Sequence, residues 1–157
     1  MIQKSKTAVF PGSFDPFTIG HDDILRRALE LFDQVVVAVG FNIHKADAEA
    51  DAARRADEIR RLYQNLRERV DVVTYSGLTV DLVKKLGACC IVRGLRNSAD
   101  FEYEKNLAEV NMRIAGVETI FLPCRPELAC VSSSTVRELD HFGYDTSPFL
   151  PGTAPRR

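Results

Sequence analysis

The sequence has little of what staples or metallates a small protein. It holds four cysteines, Cys89, Cys90, Cys124 and Cys130, and three histidines, His21, His44 and His141, in 157 residues. No two cysteines stand in a Cys-x-x-Cys spacing, and the adjacent pair Cys89-Cys90 would point to opposite faces of a strand. Structural zinc is therefore not expected, and so few scattered histidines suggest no metal cluster. Buried, reduced thiols and a cytoplasmic location are the expectation. No apolar run approaches the ~20 residues of a membrane span. The start, Met1-Ile2-Gln3-Lys4-Ser5-Lys6, leads through a short apolar segment to Pro11-Gly12, which is not the pattern of a secretory signal. Charge of one sign is missing too. Lys and Arg number 21 against 22 Asp and Glu, a net charge of -1. That balance removes the electrostatic case for a general nucleic-acid or membrane-surface binder, although an average can hide local basic clusters.

What is present reads as an ordinary globular chain, 45% hydrophobic and 27% charged. The length predicts one domain, 1–157, with a core that needs no cross-link. Five apolar runs, Thr7–Phe10, Val35–Phe41, Val70–Tyr75, Ala88–Val92 and Thr119–Leu122, lack strict alternation. They predict strands buried on both faces of a parallel sheet. Helical patterns lie between them: Asp22–Phe32, residues 47–69 with an apolar stripe of Ile59, Leu62, Tyr63 and Leu66, Thr79–Leu86, Ser98–Ala115 and Ser133–His141. Such alternation predicts an α/β, Rossmann-like, doubly wound sheet of five parallel strands with flanking helices. Residues 146–157 hold three of the seven prolines and predict a turn with a loose tail.

Open α/β sheets bind ligands beyond the carboxyl ends of their strands, so the segments after each strand carry the chemistry. After the first comes Phe10-Pro11-Gly12-Ser13-Phe14-Asp15-Pro16-Phe17-Thr18-Ile19-Gly20-His21, a loop with two prolines and two glycines. His21 is expected at the start of the next helix, where free N–H groups and the dipole suit phosphate. There it could donate to a phosphate oxygen as charge develops, or be a plain surface residue; spacing alone leaves both open. Arg93 and Arg96 flank Gly94 near the end of the fourth strand, and guanidinium geometry suits phosphate. Ser132, Ser133 and Ser134 open the last helix as a possible second phosphate cradle, where one serine would suffice for capping, and Arg137 lies one turn further on. Asp100, Glu104 and Asn111 share one helical stripe that, by pattern alone, predicts solvated surface.

Thr18-Ile19-Gly20-His21 fits the (H/T)xGH motif of the nucleotidyltransferase superfamily, and Val131-Ser132-Ser133-Ser134-Thr135-Val136-Arg137 its ISSTxxR-type motif. With the longer string from Pro11 to His21, Ile91-Val92-Arg93-Gly94-Leu95-Arg96, and Asp100-Phe101-Glu102-Tyr103-Glu104, the chain resembles the bacterial phosphopantetheine adenylyltransferases over roughly residues 7 to 150. The resemblance implies ATP and 4′-phosphopantetheine as substrates, with dephospho-coenzyme A and pyrophosphate as products. It implies catalytic roles for His21, Lys45 and Arg96. Ser13, Lys45, Thr79, Arg93 and Asn111 would bind phosphopantetheine. Ser13, Phe14, His21, Gly94, Leu95, Arg96 and Glu104 would bind ATP, with Leu128, Ala129, Cys130, Val131, Ser132, Ser133 and Ser134. Mg²⁺ is expected on the ATP phosphates rather than in a protein-built site. A homohexamer and feedback by coenzyme A are further implications. One stretch departs from the family: Ala46–Arg54 follows Lys45 with no aromatic and high alanine content, which favours an early helix start. Two alternatives stay open, a relative using nicotinamide mononucleotide or a polyol phosphate, and a non-catalytic nucleotide-binding regulator.

Overall fold

Strand residues alternate between two faces, and here both faces are apolar, so each strand needs helices on both sides. The computed structural model, which describes residues 5–152, has five strands: β1 (Thr7–Gly12), β2 (Gln34–Gly40), β3 (Val70–Tyr75), β4 (Cys90–Leu95) and β5 (Glu118–Pro123). They form one parallel sheet in the order β3-β2-β1-β4-β5. The helices are α1 (Ile19–Leu31), α2 (Ala48–Leu62), α3 (Thr79–Leu86), α4 (Ser98–Ala115) and α5 (Ser133–His141). Ala8, Phe10, Val35, Val37, Val39 and Val92 pack with Leu25 and Ala28 of α1 and Ile59 of α2 in one core layer. The intervening Val9, Val36, Ala38 and Ile91 pack with Val80 and Val83 of α3 in the other. This is the doubly wound architecture expected from the alternation of patterns.

Several boundaries differ from expectation, each for a local reason. β1 continues through Pro11 and Gly12, in register with Ala38 and Val39 of β2. Its pairing with β4 stops at Val9↔Ile91, so on that side Pro11, with no N–H to give, interrupts no ladder. β4 begins and ends later than the apolar run Ala88–Val92, because pairing with β5 extends to Arg93↔Phe121, Gly94↔Leu122 and Leu95↔Pro123. Arg93 thus lies within the strand, and only Arg96 stands just beyond it. α1 starts at Ile19 rather than Asp22, since Thr18 caps it.

In the 47–69 region, α2 ends at Leu62 and a one-turn 3-10 helix follows at Gln64–Leu66. The buried stripe runs through Ala52, Ala56, Ile59 and Tyr63, while Leu62 faces outward. Of the four free thiols, only Cys90 is fully buried; Cys89 and Cys130 sit in connections and are exposed, against the expectation of burial. Ser147–Phe149 form the expected turn after α5. The remainder of the expected tail, 153–157, and the first four residues of the N-terminal reading lie outside the described residues.

Candidate active site

The strand order reverses between β1 and β4, and their ladder has ended before the carboxyl edge is reached. Two cavities open at that split. The larger, about 840 Å³, is walled by the ends of β1, β2 and β3, the start of α2, and α4; Ser13, Lys45, Thr79, Arg93 and Asn111 all line it. The smaller, about 360 Å³, lies between the β1–α1 loop, the end of β4 and the start of α5. Phe14, His21, Gly94, Leu95, Arg96, Leu128, Val131, Ser132, Ser133 and Ser134 line it, whereas Ala129 and Cys130 do not. Ser13, Arg93, Glu104 and Arg137 border both cavities.

His21 is held by the start of its own helix. The backbone N–H of Thr18 donates to His21 Nδ1 at 2.9 Å, and the His21 N–H donates to Thr18 Oγ1 at 3.4 Å. A histidine thus takes the place that glutamate or glutamine fills in a common capping box. Because an amide N–H can only donate, Nδ1 must be the bare nitrogen, and the neutral ring carries its proton on Nε2. The ring lies among Phe10, Phe14 and Phe17, with the Phe14 centroid 5.0 Å away in an edge-to-face contact. Burial, then the charges of Arg93 and Arg96, lower its pKa from 6.5 to about 4. His21 is accordingly a neutral donor near pH 7. Phe14 packs there with a positive φ of 48°, buried against Phe10 at 5.2 Å, a conformation that bulky residues hold only when their surroundings compensate.

Arg93 is the bridge between the cavities. Its Nε donates to Glu104 Oε2 at 3.0 Å, Nη2 to Glu104 Oε1, and Nη1 to the Pro11 carbonyl. A guanidinium has five N–H bonds, so two remain for a ligand. The expectation of a solvated stripe fails at Glu104, which is 7% exposed and the one buried residue of α4. Arg96 lines the smaller cavity with Arg93 but has its own partner; its backbone N–H and Nε both donate to Asp100 Oδ2 at 3.1 Å. Gly94 allows β4 and α1 to pack closely, since a Cβ there would meet Ile24 Cγ1 of α1 at 2.9 Å.

The serines divide their work. Ser132 caps α5 by accepting from Thr135 N at 3.1 Å, and Ser133 Oγ donates to the Pro16 carbonyl at 2.8 Å. Ser134 is exposed on the cavity. Arg137 donates to the Asp15 carbonyl, tying α5 to the β1–α1 loop. Thr79 shares a 2.8 Å hydroxyl hydrogen bond with Tyr75. Lys45 is exposed on the segment that leads into α2. Sequence reasoning passed over Arg55, also on the larger cavity. Its signal was available: Arg55 follows Ala52 by three residues and precedes Ile59 by four, at the edge of the buried stripe.

The cytidylyltransferase-like family matches residues 9–139. A phosphopantetheine adenylyltransferase of Porphyromonas gingivalis is 50% identical over 148 residues, covering 94% of this chain and 95% of its own. One from Bacteroides thetaiotaomicron is 44% identical over 146 residues, covering 93% and 95%. The chain belongs to the phosphopantetheine adenylyltransferase family. The fold is shared more widely. Nicotinic acid mononucleotide adenylyltransferase from Plasmodium falciparum, complexed with NaAD, superposes with a TM-score of 0.64 over 94% of this chain and 91% of its own, at 16% identity. The alanine-rich 46–54 segment, whose composition favours an early helix start, enters α2 at Ala48, behind Asp47 with a left-handed φ of 58°.

Proposed function

We propose that the chain transfers the adenylyl group of ATP to 4′-phosphopantetheine, giving dephospho-coenzyme A and pyrophosphate. The observation that carries this reading is the pair of cavities meeting at Ser13, Arg93 and Arg137, in a chain half identical to a phosphopantetheine adenylyltransferase. ATP occupies the smaller cavity and the acceptor the larger. An oxygen of the acceptor phosphate forms a bond to the α-phosphorus of ATP, and the bond from that phosphorus to the bridging oxygen of pyrophosphate breaks. Phosphate is already anionic at neutral pH, so no general base is required. Catalysis is positioning and charge stabilisation.

His21 Nε2–H donates to an α-phosphate oxygen as charge builds. Lys45 and Arg93 hold the acceptor phosphate, with Ser13 and Asn111 beside it and Thr79 along the arm. Arg96 and Ser132–Ser134 hold the β- and γ-phosphates. Magnesium enters with ATP as its phosphate-bound complex; among the described residues no group of three or more His, Cys, Asp or Glu is placed to hold a metal. No helix among those residues is long and apolar enough to cross a membrane, and a cytoplasmic location fits this reading. Coenzyme A, sharing the acceptor's phosphopantetheine arm, would compete for the larger cavity.

Pyrophosphate release from ATP tests the proposal. Release on adding 4′-phosphopantetheine, with none on adding nicotinamide mononucleotide, is the expected result. Turnover only with the mononucleotide would transfer the reading to that acceptor, and turnover with neither would leave a binding protein.

Assembly is a second part of the proposal. α4 exposes Tyr103, Leu107, Val110 and Ile114 along one face, more apolar surface than an isolated helix face usually presents to water. A homohexamer would cover it. Light scattering should give about 106 kDa, six times the 17.6 kDa chain; a mass near that of one chain would refute it.

A further inference from the structure

Arg55 lines the acceptor cavity with a guanidinium that the fold leaves underpaired. Its side chain is only 13% exposed, it lines the larger cavity, and its Nε is buried with no hydrogen-bond partner. The nearest carboxylate oxygen, Asp15 Oδ2, stands 3.8 Å from Nη1, too far for a hydrogen bond. A buried guanidinium in this condition carries a desolvation penalty that the nearby Asp15 charge offsets only in part. The other two arginines of the cavity contrast with it: Arg93 is held by Glu104 and Pro11, and Arg137 by the Asp15 carbonyl. Neighbouring Arg54 is more than half exposed and pairs with Glu58 at 3.0 Å.

We infer that Arg55 is a binding residue for the phosphorylated acceptor, completing its hydrogen bonds on acceptor oxygens when the larger cavity fills. This rests on the adenylyl-transfer reading and adds a residue to it. The chemistry suits the place. Guanidinium gives forked donors to phosphate or amide oxygens, and Arg55 reaches the cavity from α2 while Arg93 reaches it from β4. Asp15 keeps the charge locally compensated before substrate arrives. Arg55 brings a further cation to the cavity from about two turns into α2, while Lys45 stays exposed ahead of the helix.

The test is a steady-state and binding comparison of Arg55→Gln, Arg55→Lys and Arg54→Gln with the wild-type chain. For Arg55→Gln, the KM for 4′-phosphopantetheine and its calorimetric Kd without ATP should both rise about tenfold or more, the loss of one charge-assisted hydrogen bond. The KM for ATP should stay within about twofold. Arg55→Lys, which keeps the charge without the fork, should fall between, and Arg54→Gln should match wild type. Acceptor binding unchanged in Arg55→Gln, or ATP and acceptor constants rising together, would overturn the assignment. Failure of the wild-type chain itself to bind 4′-phosphopantetheine would instead refute the underlying reading. The two failures are therefore distinct.

Discussion

Replacing His21 with alanine should lower kcat by about 100- to 1000-fold while leaving ATP binding nearly unchanged. The argument is geometric. Nδ1 is occupied by the Thr18 N–H, so the remaining Nε2–H is the ring's sole donor, and a donor that acts on developing charge is worth more in the transition state than in the ground state. A loss smaller than about tenfold, ~1.4 kcal/mol, would remove His21 from that role. Glutamine, whose amide nitrogen can reach a similar point, should restore part of the rate.

The same group sets a pH signature. A pKa near 4 leaves the ring neutral through the ordinary working range, so kcat should show no titration from His21 between about pH 5.5 and 8. The linkage follows from the sign of the shift. The folded pKa lies below the unfolded value of 6.5, so the unfolded chain takes up the proton first as pH falls. Stability attributable to the neutral ring is therefore complete above pH 6.5 and is lost as pH drops toward 4. His21→Gln should flatten that part of the stability profile. An inflection in kcat near 6.5 that disappears in His21→Gln would contradict the neutral-donor assignment.

Glu104→Ala should damage folding and turnover together. The carboxylate is nearly buried and takes two hydrogen bonds from Arg93; removing it leaves a partly buried cation without its counter-charge. Arg93 remains 30% exposed, so solvent softens the penalty to about 2–3 kcal/mol, below the fully buried range. For a chain of this length that corresponds to a fall in Tm of about 4–12 °C. Because Arg93 borders both cavities, kcat/KM should drop for both substrates, whereas a purely structural loss would spare kcat at temperatures where the variant is folded. Glu104→Gln keeps the shape without the charge and should lie between. A Tm and kcat/KM both equal to wild type would show that Arg93 needs no such orientation.

The sheet was readable because its strands are plain: Val70–Tyr75 is an uninterrupted β-rich run, and α3, α4 and α5 begin and end where their periodicity does. Boundaries slipped where polar or turn-forming residues were recruited into regular structure. Arg93 and Gly94 extend β4 because their neighbours on β5 pair with them, a non-local cause that no window of sequence contains. The start of α1 was hidden because its cap uses a histidine at the position normally read for glutamate. The motif residues could be placed through resemblance, and the structure gathers them on two adjoining cavities. Their supports were harder to see. Glu104 reads as surface in the α4 pattern until Arg93 is known to reach it across eleven residues. The spending of the Ser133 hydroxyl on Pro16 depends on a contact 117 residues apart.

The early end of the β1–β4 ladder has a kinetic meaning. Both cavities are cut into one continuous sheet, so under the proposed adenylyl transfer the angle between the two substrates would be inherited from strand twist and register. The entropy of aligning nucleophile and leaving group is then spent when the chain folds, not anew in each turnover. Selectivity must correspondingly come from what fits the walls.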